Sequence, residues 1–541
     1  MRFLPLFVFA LSLGGAVLAA RAASYHVDPQ AGDDRAAGTS PATAWKTLAR
    51  ASRAPLEAGD RLLLRAGVRH EGSLTLTAIA GTAEAPVRIG TYGGAEAQAR
   101  ALIDGRSQRA ALELRNCRHV VVTDLVVTAD GGAPAKDMRC GVLVVADSGG
   151  EYRGVTLERL HVKSVSFANP GFQRPAADVR TANGEGHYGW GIRFLVHGKS
   201  SAIMREIVVR DCRIERVDHT GLKLTGPDDS IRDVVVENVE VSHSGGPGVQ
   251  MSGVTGGRFS RLSVDHSGST ADTRNWGRGS GLWTWGTSDV VIERSRFTNA
   301  NGPGDSAGVH IDFRCRNVVV QYNFSANNAG GFCEILGDNF NCAYRYNISV
   351  NDGQRVKGRN GAFQEGKTFW LSGYVGNHQK PRGPTNSYFY NNTIYVAADA
   401  EAKVAVTPTA EGVLVANNIF YVVGPSRRVA SDQSKADGAD ARPIPRAVMV
   451  NNLFLRADNW PAGVGLADSA PLIGDPAFAR PGGDQLADYL PTNTALVKDR
   501  GLTLTPLPGD KIGLARGLAV ATDIRGQPIV GAPDLGAIEL P

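Results

Sequence analysis

The sequence lacks a large net charge of either sign. Its 58 Lys and Arg stand against 53 Asp and Glu, a formal +5 over 541 residues, and losing Arg2 and Arg21 with the leader described below leaves +3. No RNP, zinc-finger or basic-helix motif accompanies that balance, which excludes nucleic acid as a partner. The sequence also lacks any apolar run after its N-terminus long enough to cross a bilayer, so no membrane partner is expected. It lacks CxxC and any Cys/His cluster with zinc spacing. The six cysteines, Cys117, Cys140, Cys212, Cys315, Cys333 and Cys342, read as one or two disulfides plus buried thiols, with no metal site.

What is present begins with a leader. Met1-Arg2 precedes "FLPLFVFALSLGGAVLA" and then "ARAA". A short basic start, an apolar run broken at Gly14-Gly15 and small residues read as a secretory signal cut between Ala19 and Ala23. The chain is therefore expected in the periplasm or outside the cell, acting as a monomer. The 65 glycines and 27 prolines indicate many turns.

A repeat organises the rest. Alternating apolar residues, a small polar residue and another apolar one recur in "VVVENVEV" (Val234), "VVIERSRF" (Val290), "VVVQYNFS" (Val318), "YFYNNTIYV" (Tyr388) and "VMVNNLFL" (Val448). Strict alternation means strand. Ser295, Asn323, Asn347, Asn392, Asn418 and Asn452 fall at the same place in successive units, where stacked amides can bond from layer to layer. A second phrase puts glycine before a short strand: "GIRFLV" (Gly191), "GLKLTG" (Gly221), "GVQMSG" (Gly248), "GLWTWG" (Gly281), "GVHIDF" (Gly308), "GGFCEIL" (Gly330) and "GKTFWLSG" (Gly366). Short strands in units of this length, with no helices between them, predict an all-β solenoid: a right-handed, single-stranded parallel β-helix. Sandwich strands would carry no in-phase glycine column, and no propeller signature is present.

The segment "YHVDPQAGDDRAAGTSPATAWKTLARA…GDRLLLRAGVRHEG" (Tyr25 to Gly72) resembles the entry of secreted pectate-lyase-like β-helix proteins, and "DIRGQP…APDLGAIEL" (Asp523 to Leu540) is similar to their closing segment. The resemblance implies a capping helix over Ala44–Ala51 and a carbohydrate-active protein, without choosing among lyases, hydrolases, epimerases and adhesins. The expected organisation is a signal peptide (1–22), an N-terminal cap and first coils (23–105), the β-helix with loop insertions (106–455) and a closing segment (456–541).

In such a solenoid alternate residues face outward, one per coil, with coils about 4.8 Å apart. Counting each glycine as zero, position two gives Arg193, Lys223, Gln250, Trp283, His310, Phe332 and Thr368. Position four gives Leu195, Thr225, Ser252, Trp285, Asp312, Glu334 and Trp370. Asp312 and Glu334, 22 residues apart, then share one column on adjacent coils. Carboxyls about 5–5.5 Å apart suit a retaining glycosidase, and like charges that close divide into a proton donor and an ionised partner. The spacing resembles that of β-helix retaining β-xylosidases, without implying xylose.

The leading expectation is a retaining glycoside hydrolase in which Asp312 is the nucleophile and Glu334 the acid/base, needing no cofactor and acting on a poly- or oligosaccharide. Arg193, Gln250, Trp283, Trp285, His310 and Trp370 are the candidate substrate contacts, the indoles as exposed sugar-stacking platforms. Glu365, Asp305 and Asp352 are possible substitutes for either acid. Loop insertions at Phe167–Trp190, Ser267–Ser280 and Asn351–Lys367, carrying Arg274, Trp276, Arg355 and Lys357, are expected to wall the cleft. One alternative is a polysaccharide lyase, with Lys223 as base, Arg193 beside a uronate and Ca2+ at Asp228-Asp229. Another is a non-catalytic glycan binder or adhesin.

Overall fold

The computed structural model describes residues 22–94, 99–131, 138–166, 189–268, 278–376, 378–429 and 442–541. The signal segment, Arg274, Trp276 and most of the two insertions after Phe167 and Ser267 lie outside these residues.

Among the described residues the strands form three sheets of 15, 12 and 14 strands. In each, a strand pairs in parallel with its equivalent in the next coil, as in Leu222–Thr225 with Val249–Ser252 and then Leu282–Trp285. The chain is thus a parallel β-helix, with strands from Ser24 to Ile473. The phrase read as one alternating strand is two strands in different sheets. Val155–Glu158 and His161–Ser166 are joined at Arg159, whose φ of 51° makes the corner.

The glycine column has a steric cause. A Cβ on Gly221 would stand 2.7 Å from the Gly248 carbonyl oxygen, and one on Gly248 would stand 2.8 Å from that of Gly281. Coils stack this closely only where the side chain is a hydrogen. After each glycine the inward residues are apolar and sealed, as with Leu222, Leu224, Val249, Met251, Val309 and Ile311.

The asparagine column is a ladder. Asn347, Asn392 and Asn418 each direct backbone N and side-chain Nδ2 to the Oδ1 of the asparagine one coil on, at 2.8–3.2 Å. Ser295 N starts the ladder on Asn323 Oδ1, and Asn452 ends it on Asp468 Oδ2. Each amide satisfies a buried corner that the strands leave unpaired.

Two expectations change. The helix over Ala44–Ala51 is a single turn, Leu48–Ala51, capped by the Thr47 side chain. All six cysteines are free and buried, so no disulfide forms among them. Their spacing follows the apolar core rather than a cross-linking plan.

Candidate active site

The 12-stranded sheet carries the candidate site, and its register revises the predicted columns. Arg193, Lys223, Gln250, Trp283 and His310 pair in consecutive coils, as expected. At the next coil Ile311 pairs with Ile335, which brings Glu334 beside His310 and not beside Asp312. Trp370 follows in the same column, opposite Glu334. The expected single column of Asp312 and Glu334 is therefore wrong: they lie in neighbouring columns, one coil apart. The cause is Phe332, which takes the place of the glycine, its ring 3.1 Å from where a Cβ on Gly308 would stand. Gly330 instead passes under Asp305, where a Cβ would meet the Asp305 carbonyl oxygen.

His310 lies between the acids. Its Nδ1 is 2.7 Å from Glu334 Oε1 and its Nε2 is 3.7 Å from Asp312 Oδ1. Asp312, just past the strand Val309–Ile311, has both oxygens engaged. Trp283 Nε1 donates to Oδ2 at 2.9 Å and the Phe313 amide donates to Oδ1 at 2.9 Å. These bonds fix the carboxylate's orientation.

The expectation that both acids are exposed is also corrected: Asp312 is 7% exposed and Glu334 2%. Burial raises the Glu334 carboxyl above its ordinary range, and the His310 charge only partly opposes this. Burial alone would make His310 neutral, yet Glu334 and Asp312 hold its pKa well above the usual histidine value. Both shifts favour retention of a proton between them, the condition a general acid requires.

The three indoles are not open platforms. Trp283 is 3% exposed and spends its N–H on Asp312. Trp370 is buried with the Lys367 ammonium 3.8 Å from its ring centroid. Trp285, half-buried, packs edge-on against Phe313. Gln250 is buried as well. Lys223 and Arg193 lie three and four coils before His310, about 14 and 19 Å along the column.

Of the substitute acids, the structure brings in Asp305 alone. It is buried, its Oδ2 is 3.0 Å from Arg278 Nε, and its charge is felt at Glu334 and at Tyr374. Burial opposes ionisation there, but Arg278 and His310 keep its pKa below the ordinary value. The insertion Asn351–Lys367 holds this loop: Arg355 Nη1 donates to the Asp305 and Gly302 carbonyls, and burial pushes Arg355 down to about 10. Glu365 is occupied by Lys403 and Arg427. Asp352 accepts from Asn328 and Ser349 in a buried corner, where burial raises it to about 6.

Arg278, Lys367 and Tyr374 were missed. Lys367 opens the strand Lys367–Leu371 and Tyr374 follows it, both outside the alternation used to choose outward residues, and Arg278 follows an insertion. Asp228 and Asp229, the suggested Ca2+ ligands, sit in the turn after Leu222–Thr225, where Asp229 accepts from Thr255. Among the described residues no group of three or more His, Cys, Asp or Glu is arranged to hold a metal.

A family model described as a right handed beta helix region matches residues 191–394. A lacto-N-biosidase of Bifidobacterium longum subsp. longum is 23% identical over 632 residues, 95% of this chain and 36% of that protein. This chain thus spans about a third of the relative's length. The structure of a GH136 lacto-N-biosidase from Eubacterium ramulus superposes with a TM-score of 0.53 at 20% identity, over 75% of this chain and 67% of that one. XylC in complex with xylose superposes with a TM-score of 0.51 at 10% identity, over 96% and 98% of the two chains. The chain is a right-handed parallel β-helix, a fold it shares with carbohydrate-active proteins.

Proposed function

We propose that this protein is a secreted glycoside hydrolase that cleaves a poly- or oligosaccharide at the His310-centred acid cluster. Asp312 acts as nucleophile. Glu334, kept protonated by burial, gives its proton to the leaving glycosidic oxygen as Asp312 bonds to the anomeric carbon. Glu334 then takes a proton from the water that releases the sugar from Asp312. His310 positions both carboxyls, and no cofactor takes part. The observation that carries the reading is the pair of contacts at one imidazole, 2.7 Å to Glu334 and 3.7 Å to Asp312, with Trp283 orienting Asp312. The match along nearly the whole chain to a lacto-N-biosidase supports it.

Asp305 is the second candidate for the acid. Its side chain is 6% exposed, against 3% for Glu334, so it is more open to a substrate. Against it stands its lowered pKa. The test compares Glu334→Gln and Asp305→Asn on aryl glycosides, lacto-N-biosides and xylosides included. The true acid is the one whose loss spares substrates with good leaving groups and stops those with poor ones.

The anomeric outcome needs its own measurement, because the single-column spacing behind the expected retention is not the spacing found. Asp312 as nucleophile predicts a product of retained configuration by NMR. Inversion would make Asp312 the base that activates water.

The lyase reading retains one supporting observation. Lys223 is buried and its pKa lies well below the ordinary lysine value, first through burial and then through Arg193, as an elimination base would require. It predicts unsaturated, ultraviolet-absorbing ends from uronate polymers, lost in Lys223→Met.

A further inference from the structure

We propose that Arg193 and Lys223 form a subsite for an anionic group carried by the glycan, three coils from His310, binding charge without doing chemistry. The proposal rests on the hydrolase reading, and it adds a substrate class: acidic glycans bearing a carboxylate or sulfate.

The two cations pair in register on adjacent coils, with backbones about 4.8 Å apart. They share one aromatic neighbour. Arg193 Cζ is 4.4 Å and Lys223 Nζ 5.8 Å from the Trp190 ring centroid. Lys223 is 3% exposed, while Arg193 is partly open to solvent and marks the entrance.

Among the described residues they lack a counter-ion, and neither meets a carboxylate. Arg193 Nη1 reaches only the thioether of Met138 at 3.5 Å, a weak acceptor, and the buried Arg193 Nε donates to no group. The charges felt at Lys223 are those of Arg193 and Cys140, and those at Arg193 are Cys140 and Arg109. The next carboxylate along the column, Glu113, lies two coils before Arg193 and accepts from Arg115.

A buried ammonium beside a half-buried guanidinium, with no carboxylate partner among the described residues, costs stability and gives the fold nothing in return. Burial depresses both groups, helped by the Arg193 charge at Lys223 and by the Arg109 charge at Arg193. An anion between them removes that penalty, through a guanidinium fork suited to an oxyanion and an ammonium beside it. The column places this point about 14 Å from His310, the reach of a short oligosaccharide rather than of one ring.

The experiment is calorimetric titration of the full chain in the Asp312→Asn background, which keeps glycans intact. The probes are trigalacturonate, its carboxyl-reduced neutral counterpart and sodium sulfate. The acidic trisaccharide is expected to bind about tenfold or more tighter than the neutral one, with that preference lost in Lys223→Met and in Arg193→Met. Thermal melting guards against misfolding: Lys223→Met is expected to keep or raise Tm, because it removes an uncompensated charge. Equal binding of the two trisaccharides, a preference that survives both variants, or a marked fall in Tm for Lys223→Met would overturn the subsite. So would sulfate binding as tightly as trigalacturonate, which would make this an inorganic-anion site. Unsaturated product from trigalacturonate with Asp312 intact, lost in Lys223→Met, would overturn it too, since Lys223 would then be a base. Charge preference without hydrolysis of any glycan would sink the hydrolase reading alone. Hydrolysis of neutral glycans without charge preference would sink the subsite alone.

Discussion

Trp283 Nε1 donates to Asp312 Oδ2 across one coil at 2.9 Å, and this bond joins two residues that sequence reasoning placed in separate roles. The indole expected to stack on sugar instead orients the carboxylate expected to attack it. The face of the solenoid is thus built inward from its chemistry, with aromatic rings supporting the acids rather than standing beside them.

Trp283→Phe keeps the ring and removes that donor. A hydrogen bond to a charged group contributes about 1.5–3 kcal/mol, so turnover should fall roughly ten- to a hundredfold. The loss should appear in kcat more than in KM if the bond steadies Asp312 during bond formation. A KM effect alone would return Trp283 to substrate binding.

Lys367 gives a pH test with a definite sign. Burial pushes its ammonium down to about 8, although Glu334 attracts the charged form. The unfolded chain keeps this proton to the ordinary lysine value of 10.5, so between those values the unfolded state binds more protons and folding stability rises with pH. Lys367→Met lacks this contribution. Its Tm advantage over wild type should therefore shrink as pH rises from 8 toward 10.5. A constant difference across that window would show that the lysine is not buried in charged form.

Asn392→Ala interrupts the corner ladder. It strips both donors of Asn347, the backbone N and Nδ2, of their acceptor at a fully buried position. Each unsatisfied donor costs about 1–3 kcal/mol, so urea unfolding should register a loss of about 3 kcal/mol or more. Little change would mean that water satisfies the corner.

The sequence displayed the fold clearly because a solenoid repeats its constraints locally. Gly221 and Gly248 mark where coils touch, Asn347 and Asn392 mark where corners need an amide, and both columns can be read without knowing a single long-range contact. The site was legible in part. His310, Asp312 and Glu334 do gather on one sheet, but the column was misread at the coil where Phe332 replaces glycine, since a local glycine count cannot register that exchange. Burial was not legible at all. Glu334 is surrounded by Lys367, Asp305 and Arg355, from a strand edge, a loop and an insertion whose packing no alternation pattern encodes. The cysteines misled for a related reason: Cys315 and Cys342 occupy apolar core positions, where a small residue is wanted and no partner is required.

The central claim is that Asp312 carries the bond-breaking chemistry, and turnover of Asp312→Asn tests it most directly. The substitution keeps the side chain's size and place while removing its nucleophilic oxygen. On whichever aryl glycoside the wild type cleaves, the account predicts a loss of several powers of ten in kcat by a protein that still unfolds cooperatively, at a Tm lowered because the new amide sets an N–H against the Trp283 or Phe313 donor. Near-normal turnover by a folded Asp312→Asn protein would contradict it.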